Sequence, residues 1–160
     1  MGMPEILIYT LGNRDSGMGH VVRTIVLADA LAPLGVRTAF VTPYDTPGQH
    51  RITQAGYPAF EPYPLEGLTD GGVFPALLID LEGGPAREFL ERVRPVFRKV
   101  LVIGGVGYGF HNGGIEPGLV DLQIHQTILP VPPIGVTTLQ GADWLILRPG
   151  YAQCQPDYSQ

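Results

Sequence analysis

The chain has 160 residues, the size of one ordinary domain. Apolar types make up 44% of it and charged types 16%, which excludes a disordered chain and lets roughly 70% of the unfolded surface be buried. Ten basic residues against fifteen acidic ones leave a net charge of -5 with no basic cluster, so the electrostatic footprint of a nucleic-acid binder is absent.

Short runs rich in Val, Ile, Leu and aromatics recur along the chain. They predict strands at Ile6 to Tyr9, Val36 to Val41, Leu77 to Ile79, Val100 to Ile103, Leu119 to Ile124 and Trp144 to Leu147. Most are continuously apolar rather than alternating, as strands of a parallel sheet covered on both faces require. Residues 20 to 32 carry a wide helical stripe through Val21, Val22, Ile25, Val26, Ala28, Leu31 and Ala32, closed by Pro33 and Gly35. A shorter helix is expected around Thr46 to Ala55, ending near Gly56. Another spans residues 85 to 94, with Pro85 in its first turn, Phe89, Leu90 and Val93 inward, and Pro95 as its stop.

Strand–helix–strand alternation with short connections predicts right-handed βαβ units. The fold class is therefore α/β, a single Rossmann-like, doubly wound parallel sheet over residues 1–150, with a polar tail at 151–160. Two long loops, residues 60 to 75 and 104 to 118, are candidate site walls, because ligands of open α/β sheets bind beyond the carboxyl ends of the strands. A plain surface loop accounts for them equally well.

The absence of any apolar run near the ~20 residues of a membrane helix argues against an integral membrane segment. Met1 to Glu5 lack the cationic start of a secretory signal. The single cysteine, Cys154, excludes an intrachain disulfide framework and a cysteine-rich metal site. A cytoplasmic domain is the expectation. Four histidines without paired ligand spacing predict no metal site.

The most informative stretch leaves the first strand and opens the first helix: Leu11-Gly12-Asn13-Arg14-Asp15-Ser16-Gly17-Met18-Gly19-His20-Val21-Val22-Arg23. Gly17 and Gly19 permit a sharp turn and a close ligand approach. The first helical turn then offers unpaired N–H groups and a positive dipole end, a seat for phosphate. A dinucleotide fingerprint needs a third small residue where Val22 stands, and a P-loop needs Gly-Lys-Ser/Thr, whereas the lone lysine is Lys99. NAD and ATP are thereby disfavoured, and no cofactor is expected.

What remains is Gly-x-Gly-His-x-x-Arg before an apolar helix containing Leu27-Ala28-Asp29-Ala30-Leu31. This pattern resembles the N-terminal domain of the nucleotide-sugar hydrolases of the pseudaminic-acid pathway. It is similar also to the related spore-coat polysaccharide glycosyltransferase-like proteins of the GT-B fold. Ala39-Phe40-Val41-Thr42 with Gly56-Tyr57, Leu78-Ile79-Asp80, Val120 to Ile124 and Leu145 to Pro149 extend the likeness over about residues 5 to 151. The resemblance implies chemistry at the anomeric carbon of a nucleotide sugar, with water or an acceptor hydroxyl as nucleophile. It implies His20 as the general base, a role that a neutral imidazole at a helix N-terminus suits. The plainer reading is that His20 caps a tight turn.

Gly17, Met18, Gly19 and Arg23 are the candidate substrate-binding residues, Arg23 orienting a phosphate or pairing with Asp15. Where the family carries an acidic pair this chain has Gly104-Gly105, and His111 and Asn112 in the adjoining loop are candidate replacements. His125, facing the side of Gln123 and Asp121, is a weaker candidate. Asp80 and Glu82 end a strand before Gly83-Gly84 and could touch ligand, but capping the next helix is their expected use.

The resemblance further implies a C-terminal nucleotide-binding domain, in the same parent chain or as a separate subunit, across a cleft. A lone half supplies a base without a firmly held substrate, so its own catalysis is expected to be weak or nil. The alternative is a non-catalytic small-molecule-binding or assembly module of Rossmann-like fold.

Overall fold

A computed structural model describes residues 4–61, 74–104, 117–126 and 135–147. In chain order the elements are β1 (Ile6–Thr10), α1 (Gly19–Leu31), β2 (Thr38–Val41), α2 (Pro47–Gln54), β3 (Ala59–Phe60), β4 (Phe74–Asp80), α3 (Arg87–Val93), β5 (Phe97–Gly104), β6 (Leu122–His125) and β7 (Thr137–Leu139). The strands form one sheet in the order β3-β2-β1-β4-β5-β6-β7, every pairing parallel. This is the expected α/β, Rossmann-like architecture.

The sheet is central because its strands have apolar residues on both faces. Leu7, Val41, Leu77, Ile79, Val100 and Val102 pack with Leu90 and Val93 of α3 on one side. Ile8, Phe40, Leu78 and Ile103 pack with Val21, Ile25 and Ala28 of α1 and Ile52 of α2 on the other. Each large side chain removed from water here contributes on the order of 1.5–3 kcal/mol. The helix boundaries follow local chemistry. A short 3-10 turn at Ala32–Leu34 follows α1, and Gly35 closes it with a φ of 81°. The Thr46 side chain accepts from the Gln49 N–H at 3.2 Å, and Pro47 fills the first turn of α2.

Two expectations are corrected. Pro85 precedes α3 rather than entering it, since Ala86 is the N-cap residue and Arg87 begins the helix. Trp144 to Leu147 is not a strand: a 3-10 turn spans Ala142–Trp144. The Gln126 side chain accepts from the Ile146 N–H at 2.9 Å and donates to the Trp144 carbonyl at 3.0 Å, so a side-chain amide holds a backbone that a ladder would otherwise pair. The edge strand is instead Thr137–Leu139. The two-residue β3 on the other edge is too short to carry a hydrophobic period.

Asp121 clamps the amino end of the sheet. Its carboxylate accepts from the Val100 N–H at 2.8 Å, from Arg94 at 2.5 Å and from Lys99 at 3.1 Å. Burial alone would raise this carboxyl, but those donors outweigh it and hold it below its ordinary value of 3.8. It therefore binds fewer protons folded than unfolded, and its stabilisation is present above pH 3.8 and lost as pH falls through the lower folded value. Asp121→Asn is expected to cost about 1–3 kcal/mol at neutral pH. Chemical denaturation across pH should show that gap closing below about pH 3.8.

Gly48 in the first turn of α2 donates its N–H to the Gly12 carbonyl at 2.9 Å. A Cβ on Gly48 would lie 2.8 Å from that oxygen and 3.0 Å from both Cα and N of Gly12, all of them backbone atoms. Helix propensity favours Ala over Gly by about 1 kcal/mol. The backbone collision outweighs it, so Gly48→Ala should destabilise by about 1–3 kcal/mol. A thermal melt at or above the wild-type midpoint would refute the crossing.

Candidate functional site

The winding of the sheet changes direction at β1: α1 carries the chain from β1 to β2 on one side, whereas β4 lies on the other. Beyond the carboxyl ends of two such strands an open α/β sheet leaves a crevice. Thr10 and Asp80 are the paired last residues of β1 and β4. His20 and Arg23 arrive there from the first turns of α1.

The loop between β1 and α1 is shaped by Asn13, whose side-chain oxygen accepts from the N–H groups of Asp15 (2.9 Å) and Ser16 (2.8 Å) and from the Ser16 hydroxyl (3.1 Å). Gly17 closes it with a φ of 70°. Met18 is the N-cap residue of α1, no side chain caps the helix, and no acid occupies its first turn. Its leading N–H groups therefore lack a side-chain acceptor, as an anion seat requires. The Thr24 hydroxyl donates to the carbonyls of His20 (2.8 Å) and Val21 (3.0 Å), tying down the same turn.

Asp80 is the centre of the cluster. Its side chain has no exposure to water, against 17% for His20 and 25% for Arg23. Arg23 donates from Nε to Oδ2 and from Nη2 to Oδ1, each at 2.5 Å, a two-pronged pairing that suits a buried carboxylate. His20 Nδ1 lies 2.8 Å from Asp80 Oδ1 and 2.8 Å from Arg23 Nη2. Those two neighbours ask opposite things of the ring nitrogen, because a carboxylate only accepts and a guanidinium only donates.

The structure thus corrects two expectations. Arg23 pairs with Asp80, not with Asp15, which is exposed. Asp80 caps no helix, since α3 has no side-chain cap, and it lies instead in the cluster with His20 and Arg23, the less expected of its two uses. The signal lay in its place as the acid ending an apolar strand. Gly17, Met18 and Gly19 lie in the loop and helix start beside His20, as anticipated. His111 and Asn112 fall outside the described residues. His125, the buried last residue of β6, lies on the face of Val100 and Val102, opposite to His20, and burial pushes its imidazole below the ordinary value.

Two further features complete the carboxyl edge. The buried hydroxyls of Thr10 and Thr42 have no hydrogen-bond partner among the described residues. Beside α1 runs a groove of about 260 Å³, lined by Met18, Gly19, Val22, Arg23 and Val26 with Ile146 and Leu147 opposite. Among the described residues no group of His, Cys, Asp and Glu is arranged to hold a metal ion, and no helix is long and apolar enough to cross a membrane.

No protein-family model matches the chain, and no curated protein does. Among solved structures it is similar to the crystal structure of MurG from Acinetobacter baumannii, at a TM-score of 0.55 and 12% identity. The match covers 84% of this chain and 44% of that one, so the chain spans less than half the length of MurG. MurG is a glycosyltransferase of the GT-B fold, and at this identity the likeness is one of fold. The chain has the Rossmann-like, GT-B-type architecture of one such half.

The two glycines of the turn are separable by substitution. A Cβ on either meets nothing within 4 Å, but only Gly17 has a positive φ. Gly17→Ala is expected to cost about 1–2 kcal/mol for the left-handed backbone. Gly19→Ala, at a helical position, should be neutral or slightly stabilising. Denaturant midpoints of the two variants check this, and equal losses would contradict it.

Proposed function

We propose that the chain is the acceptor-side half of a glycosyltransferase or nucleotide-sugar hydrolase of GT-B architecture. His20 is the general base for attack on the anomeric carbon or diphosphate of a nucleotide sugar. The observation that carries this reading is the seating of His20 on buried Asp80 at the point where the sheet changes winding direction. An imidazole oriented by a carboxylate is suited to take a proton from water or an acceptor hydroxyl, with the carboxylate stabilising the imidazolium that forms.

Gly17, Met18 and Gly19 bring backbone N–H groups of the first turn to a phosphate or developing oxyanion. The nucleotide is held by a second α/β domain across the cleft, in the same parent chain or as a separate subunit. The partial coverage of MurG is consistent with such a division. A non-catalytic small-molecule module is the second reading, favoured by the mostly apolar lining of the groove beside α1.

In the full-length or reconstituted enzyme, His20→Ala is expected to lower turnover by about 10²–10⁴-fold, the usual contribution of a positioned base. Nucleotide affinity should change little. Amide NMR titration with UDP-sugars and CMP-sugars should shift residues 13 to 23 first. Turnover indifferent to His20→Ala would make the histidine structural and select the second reading.

A further inference from the structure

His20 Nδ1, Asp80 Oδ1 and Arg23 Nη2 form a triangle with sides of 2.8, 2.5 and 2.8 Å. Its three edges cannot all be good hydrogen bonds. The companion bond from Arg23 Nε to Oδ2 aligns the guanidinium with the carboxylate, so one Nη2 hydrogen is committed to Oδ1. The second Nη2 hydrogen diverges from the first by about 120°, whereas Nδ1 lies at roughly half that angle from the Oδ1 direction. A bare Nδ1 would also set its lone pair against a carboxylate oxygen. Oδ1 therefore takes the ring hydrogen as well, and the lone pair is left on Nε2.

The charge balance points the same way. Asp80 is wholly buried, and a buried carboxylate needs a cation. With His20 as its sole partner, the ring would be drawn into the imidazolium form, which has no lone pair and cannot act as a base. Arg23 is permanently charged and already meets both carboxylate oxygens. Its charge beside Nδ1 also opposes a second positive charge on the ring.

The other charged groups near this part of the fold do not intervene among the described residues. Arg14 and Asp15 before α1 and Glu82 after β4 are exposed and make no described bond to the ring. His50 of α2 pairs with Asp45 at 3.6 Å, both exposed.

We propose that Arg23 is a positioning residue that keeps His20 an uncharged base, by neutralising Asp80 and leaving the ring as the Nδ1–H tautomer. The proposal rests on the reading of His20 as the base, but the state of the ring is measurable without any reaction. NMR of the chain with ¹⁵N-labelled histidine should show a protonated Nδ1 and a bare Nε2 at pH 7. In Arg23→Gln the ring should hold its second proton to a pH at least one unit higher, a tenfold gain in proton affinity. Arg23→Lys keeps the charge without the fork, and its ring should remain uncharged at pH 7.

A wild-type ring protonated on Nε2 would overturn the proposal, as would an Arg23→Gln ring that titrates with the wild type. If the Gln variant fails to fold, the Lys variant decides, and a ring charged at pH 7 there overturns it. Loss of the His20 base role in turnover assays would leave these ring measurements unchanged, so the two failures are distinct.

Discussion

A carboxylate shut away from water is tolerable only where donors and positive charge converge on it, and in this chain that demand falls on Asp80. It stands at the end of β4, in the middle of the sheet, with a central strand on either side. The groups that satisfy it come from the first turns of α1, some sixty residues earlier. The bonds therefore close a long loop in sequence and tie the helix that follows β1 to the end of β4. The placing of His20 beyond the carboxyl ends of β1 and β4 goes with the hold that Asp80 has on the first turns of that helix.

Much of the frame was legible in the sequence. Continuously apolar runs such as Ile6 to Tyr9 and Val100 to Ile103 announce strands buried on both faces, and the stripe from Val21 to Ala32 announces α1. What escaped reading has physical reasons. β7 is Thr137–Leu139, polar at two of three positions, and an edge strand need be apolar on neither face. Trp144 to Leu147 is apolar, but Trp144 and Leu147 stay exposed and the Gln126 amide takes the backbone groups. Pairings between distant residues leave no periodic trace. His20 and Arg23 were visible as a motif and Asp80 as the acid ending a strand, with a cap its expected use, but the carboxylate shared between them exists only in the folded chain.

The two sides of α1 have different characters. Toward β4 it presents charge and hydrogen bonds around Asp80. Along Met18, Val22 and Val26 it presents an apolar wall facing Ile146 and Leu147. Gly19 and Arg23 border that wall, so the polar cluster and the groove share one helix and are separated by a fraction of a turn. The fold likeness to MurG concerns the frame on which they are mounted, while both come from this chain's own residues.

The crossing of Gly12 and Gly48 has a mechanical consequence. Backbone meets backbone there, and the Gly48 N–H bonds the Gly12 carbonyl directly, so the start of α2 and the first loop share a main-chain contact that leaves no room for a side chain on Gly48. An insertion between β2 and α2 that shifted Gly48 would break its bond to the Gly12 carbonyl. Transplanting this loop into another protein would accordingly require carrying both glycines and the helix that rides on them.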